Sequence, residues 1–108
     1  MRSEISINVT SDTWESEVID CNTLVMVFFW AQWCDPCLKM SKTIEAMAAD
    51  IPEKVKIVKV NIDDNDDIAS DYKVSIVPTT MFFKEGRKCR ELITNVSRKQ
   101  LEDVINLI

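Results

Sequence analysis

A chain of 108 residues, 46% hydrophobic, with one Gly and three Pro, carries enough apolar material for one core and little for a flexible linker, so a single domain over residues 1–108 is expected. The formal charge of −5 argues against a phosphate-binding surface, which needs clustered Lys and Arg, and removes nucleic acid from the expected partners. No apolar run approaches the roughly 20 residues that cross a bilayer, and the start alternates polar and apolar instead of forming a secretory signal, so neither export nor a membrane anchor is expected.

Residues 4–8 alternate as a short strand, and Asp12 with Glu15 has the spacing of a capping box opening a helix that puts Trp14 and Val18 on one face. Residues 24–30, rich in Val and Phe, predict a strand covered on both sides. From about Cys34, the positions Cys37, Met40, Ile44, Met47, Ala48 and Ile51 recur at helical spacing, and Pro52 limits that helix. Residues 55–62 predict a third strand, and the acids of residues 63–67 lead into a short helix through Ile68, Ala69 and Tyr72. Residues 79–83 and 88–93 flank Glu85-Gly86 as a hairpin, and Ser97 with Gln100 caps a last helix carrying Leu101, Val104, Ile105 and Ile108. The order βαβαβαββα defines an α/β chain whose crossovers give parallel strands and whose hairpin adds an antiparallel pair, hence a mixed sheet with helices on both faces.

The chemistry concentrates in Trp33-Cys34-Asp35-Pro36-Cys37, between a predicted strand and a predicted helix. A thiolate, not a thiol, attacks disulfides, and a cysteine at a helix N-terminus is stabilised as thiolate by unpaired N–H groups and the helix dipole, which makes Cys34 the expected nucleophile. Cys37, one turn later, is placed to attack the mixed disulfide on Cys34 and leave an internal disulfide. Pro36 suits a first turn, where no N–H is required. The same spacing serves as half of a zinc site, but the chain has no His, and Cys21 and Cys89 are isolated, so no metal is expected. A pair of merely buried small hydrophobes would not account for the strand-to-helix position. The acids of residues 63–67 lack the glycine and terminal acid of a calcium loop and are expected to be a solvated helix start. Cys21 and Cys89 are expected to be inert, although Cys89 lies between Lys88 and Arg90, which favour a thiolate on an exposed cysteine.

The run Phe29-Trp30-Ala31-Gln32-Trp33-Cys34-Asp35-Pro36-Cys37 resembles the active-site segment of the thioredoxin family, FWAxWCGPC. Lys59-Val60-Asn61-Ile62-Asp63, Val77-Pro78-Thr79 and Phe83-Lys84-Glu85-Gly86 are similar to later landmarks of that family in order and spacing, so the likeness covers essentially the whole chain. The resemblance implies the thioredoxin fold: three layers, α/β/α, with a central mixed five-stranded sheet flanked by four helices. It also implies a cis bond before Pro78 beside the dithiol, and a groove in which an extended substrate pairs with the backbone of Val77. Trp33, Val77, Pro78 and Thr94 are then the substrate-surface residues.

The departures from the family pattern bear on rate and potential. Phe28 stands where the family has a buried acid credited with taking the proton of the second cysteine, so resolution by Cys37 is expected to be slower or to use water or another base. Lys59, often near that acid in the family, keeps its position. Asp35 replaces the motif's usual Gly; it favours the helix start by roughly 0.3 to 1 kcal/mol, while repelling a thiolate on Cys34 and raising its pKa by about one unit or less. A more reducing protein than the Asp35→Gly variant is expected, the alternative being a solvated helix-start acid with little effect on the potential. Lys42 replaces a helix-kinking Pro, and Thr94 replaces a Gly near the groove, adding a side chain at a close approach.

The expected function is reduction of protein disulfides by dithiol exchange, an enzymatic activity that needs no bound cofactor beyond the Cys34/Cys37 dithiol. Electrons would come from a separate reductase, a thioredoxin reductase by the resemblance, and the chain is expected to act as a cytoplasmic monomer in electron transport and cell redox homeostasis. A competing reading, supported by Phe28, Asp35 and Thr94, is a thioredoxin-fold binding module whose dithiol captures one partner. An oxidase or isomerase is a third reading, against which the acid in the motif argues.

Overall fold

A computed structural model describes residues 7–51 and 55–108. The expected strand start at residues 4–6 and the helix limit at Pro52 lie outside the described residues. In chain order the elements are β1 (Ile7–Asn8), a π-helix (Glu15–Ile19), β2 (Leu24–Trp30), α1 (Asp35–Ala48), β3 (Val55–Asn61), α2 (Asp66–Asp71), β4 (Thr79–Lys84), β5 (Arg87–Ile93) and α3 (Arg98–Leu107). They build a five-stranded sheet in the order β1-β3-β2-β4-β5. β1 and β2 run parallel to β3, while β4 is antiparallel to both β2 and β5.

β2 is central because residues 25–29 carry no polar side chain and are buried on both sides. Met26 and Phe28 turn to the face covered by α1 and α3, in one core with Met40, Ile44, Met47 and Leu101. Val25, Val27 and Phe29 turn to the face covered by the π-helix and α2, in a second core with Trp14, Val18, Ile68 and Phe83. Period-two alternation along one buried strand thus serves two helix layers at once.

The capping box expected at Asp12 and Glu15 does not form. The first turn has no side-chain cap, Trp14 is already helical, and Glu15 opens a π-helix in which the Asp20 N–H donates to the Glu15 carbonyl at 2.8 Å. The cause lies outside the local sequence: the Ser11 N–H donates to Asn65 Oδ1 at 2.9 Å and its hydroxyl bonds Asp67, which fixes the chain before Asp12. Thr13 Oγ1 then accepts from the Thr10 N–H at 3.0 Å. The Ser11 bond holds the Asp67 carboxyl below its ordinary value.

The hairpin signal is realised with both central residues in the left-handed region, Glu85 at φ 54° and Gly86 at φ 78°, as a primed turn demands. Space gives Gly86 a second reason, since a Cβ there would come 2.9 Å from the Ile19 carbonyl oxygen. β5 forms one edge of the sheet with most of its side chains exposed, and a register shift interrupts its ladder with β4 at Phe82/Phe83. The Ser97–Gln100 capping box opens α3 with both reciprocal bonds made.

Candidate redox site

β2 ends at Trp30, and a tight turn, with the Cys34 N–H donating to the Ala31 carbonyl at 3.2 Å, delivers Cys34 to the start of α1. Cys34 is the N-cap residue, with extended backbone, and its Sγ accepts from the Cys37 N–H at 3.1 Å. Asp35 lies exposed in the first turn, and Pro36 occupies a first-turn position whose N–H would have no intrahelical partner. The two cysteines are joined as a disulfide, with Cα atoms 5.2 Å apart. Cys34 is 5% exposed and Cys37 fully buried, so of the two it is Cys34 that reaches the surface.

The Val77–Pro78 bond is cis, and the Val77 carbonyl oxygen lies 3.7 Å from Cys34 Sγ. Trp33 projects beside the pair, 68% exposed, with its indole N–H donating to Asp63 Oδ2 at 2.9 Å. Thr94, at the end of β5, is exposed and takes φ 68°, a conformation that suits the glycine it replaces and disfavours a β-branched residue. Lys42 is exposed on α1, which continues through it to Ala48.

Phe28 is fully buried in the core that contains both cysteines, flanked across the sheet by Lys59 on β3 and Thr80 on β4. With no carboxylate at Phe28, the Lys59 ammonium donates to Ser41 Oγ of α1 at 2.8 Å and stands 5.1 Å from the Trp30 ring centroid. Two buried polar atoms close by, Trp30 Nε1 and Thr80 Oγ1, have no hydrogen-bond partner. Sequence reasoning missed Ser41, Thr80 and the bond from Trp33 to Asp63. Ser41 carried a signal, a hydroxyl one turn beyond Cys37 on the same helix face, whereas the other two contacts depend on strand register and loop path.

Among the described residues no group of three His, Cys, Asp or Glu side chains converges as a metal site, and no helix is long and apolar enough to cross a membrane. The thioredoxin family model matches residues 5–107. The chain belongs to the thioredoxin family. It is 39% identical to a thioredoxin of Porphyra purpurea over 91% of its own length and 92% of the relative's. It is 43% identical to a thioredoxin of Rickettsia bellii over 75% and 77%, and 37% identical to thioredoxin 1 of a Nostoc species over 90% and 91%. Family membership and the paired Cys34 and Cys37 make it a thiol-disulfide oxidoreductase, a protein-disulfide reductase of the thioredoxin type.

Proposed function

We propose that Cys34 is the attacking thiol and Cys37 the resolving thiol, in a single domain spanning residues 1–108 that acts as a monomer. The observation that carries this is the helix-start position of Cys34, whose sulfur takes the Cys37 N–H at 3.1 Å while Cys37 is buried behind it. The Cys34 thiolate attacks one sulfur of a substrate disulfide, forming a mixed disulfide and expelling the other sulfur as a thiolate. Cys37 then gives up its proton, and its thiolate attacks Cys34 Sγ. The new bond is Cys34–Cys37, the bond to substrate breaks, and the two electrons of the dithiol leave with the reduced substrate.

Trp33, Val77, Pro78 and Thr94 form the substrate groove in this reading, with the Val77 backbone pairing an extended substrate segment. Because the dithiol itself stores both electrons, the cycle needs no bound cofactor, only a separate enzyme of the thioredoxin reductase class to reduce the disulfide again. Two unpaired cysteines, Cys21 and the exposed Cys89, support a reducing compartment such as the cytoplasm, with a place in electron transport and cell redox homeostasis.

Insulin-disulfide reduction with a chemical dithiol as electron source tests the assignment. Cys34→Ser is expected to abolish activity, while Cys37→Ser is expected to retain one round of attack and accumulate the mixed disulfide. Full turnover in Cys34→Ser would overturn it.

A further inference from the structure

The resolving step needs a thiolate in a place unsuited to charge. Cys37 is fully buried, and the core around it is made of Met26, Phe28, Met40, Ile44 and similar apolar groups. Burial of that kind favours the neutral thiol. Ser41 lies one helical turn after Cys37 on α1, and helical side chains four apart share one face and lean back toward the N-terminus, which puts Ser41 on the Cys37 side of the helix. Its oxygen already accepts from the Lys59 ammonium at 2.8 Å, which leaves the hydroxyl proton free to point elsewhere.

We infer that Ser41, polarised by Lys59, donates its hydroxyl hydrogen bond to the Cys37 thiolate and is the group that stabilises the resolving nucleophile of this chain. Lys59 is the positioning residue: its ammonium, set over Trp30 and on Ser41, orients the hydroxyl and adds positive potential behind it. The proton lost by Cys37 passes to water at the cleft lined by Asn8, Trp30, Lys59 and Asn61, and the departing substrate thiolate takes one from water, so the step neither consumes nor yields protons overall.

The other elements packed against the dithiol offer little charge. β2 and β4 present Phe28, Trp30 and Thr80, α3 presents Leu101 and Val104, and the turn before β4 presents Val77 and Pro78. On α1, Asp35, Lys39 and Lys42 are exposed, and Asp63, beyond β3, is engaged by the Trp33 indole.

This inference rests on Cys37 as the resolving thiol, and the experiment separates the two. The reduced chain, carrying Cys89→Ser to remove an exposed thiol, is mixed with a stoichiometric aromatic disulfide, dithionitrobenzoate. One coloured thiolate is released when Cys34 attacks and a second when Cys37 displaces it. In Ser41→Ala the second phase is expected to slow about tenfold relative to the first at pH 7, and its pH midpoint to rise by about one unit. Lys59→Met is expected to move the midpoint the same way, and Lys59→Arg and Ser41→Thr to restore it. An unchanged midpoint in Ser41→Ala would overturn the inference even if the rate fell. A second phase persisting in Cys37→Ser would remove the underlying assignment instead.

Discussion

On the face of the sheet covered by the π-helix and α2, Trp14 meets Phe29, Tyr72 and Phe83 at centroid separations of 6.4, 5.2 and 5.4 Å, and Tyr72 and Phe83 close the cluster at 5.3 Å. On the face covered by α1 and α3 the packing sets Met26, Met40 and Met47 with the rings of Phe28 and Phe82, small alanines and the two cysteines, and it tolerates two buried polar atoms without partners. Four rings packed on one another hold one side, and on the other three of the four thioethers buried among the described residues fill the space around two rings. The difference puts most of the adaptable thioethers on the side that holds the two cysteines, and the ring cluster on the opposite side of the same strands.

Substitutions can break that division from either side. Trp14→Ala removes the hub of the aromatic face and is expected to cost about 3–5 kcal/mol, seen as a lower denaturant midpoint, while insulin reduction per folded molecule stays unchanged. A drop in that specific rate would show that the two faces are not separate in function. Phe28→Asp acts on the redox face. Losing a fully buried ring and burying a carboxyl is expected to cost about 3 kcal/mol or more, yet the acid stands across from Lys59 and near Cys37, so the rate of reduction per folded molecule is expected to rise. An equal or lower rate would rule out proton acceptance at Phe28's position as a limit on turnover.

Smaller changes sharpen the comparison at the rim of the redox face. Asp35→Gly removes the exposed carboxylate next in sequence to Cys34, which is expected to stabilise the thiolate and so weaken the disulfide; the reduction potential is expected to rise by about 30 mV or less, measured by equilibration with glutathione. A potential that stays or falls would contradict repulsion as the cause. Thr94→Gly relieves a β-branched residue held at φ 68° and is expected to add about 1 kcal/mol of stability, read as a higher midpoint at constant denaturant slope.

The order of strands and helices was legible because each buried element repeats its apolar residues at its own period, and because Ser97 and Gln100 form the reciprocal cap their spacing announces. Residues 24–30 could be assigned a central position from the lack of polar side chains alone. The Asp12–Glu15 cap does not form because the helix begins later, at Trp14, after a turn anchored to Asn65 and Asp67 through Ser11, contacts more than fifty positions away in sequence. In the site, the helix-start position of Cys34 followed from its local motif. The partnership of Lys59 with Ser41 did not, since the resemblance directs attention to a carboxylate at Phe28's position, and only the packing of α1 on β3 reveals where the ammonium goes once that carboxylate is gone.

β5 carries a consequence beyond the redox reaction. As an edge strand it offers unpaired backbone groups to any other extended chain, but Arg87, Lys88 and Arg90 stand exposed along it and the register shift at Phe82/Phe83 bends its ladder. Lys88 is paired with Glu91 at 2.7 Å, and two copies meeting edge to edge would bring the remaining cations, Arg87 and Arg90, together, a repulsion that opposes further strand addition. Growth of the sheet into fibrils through this edge is thereby disfavoured.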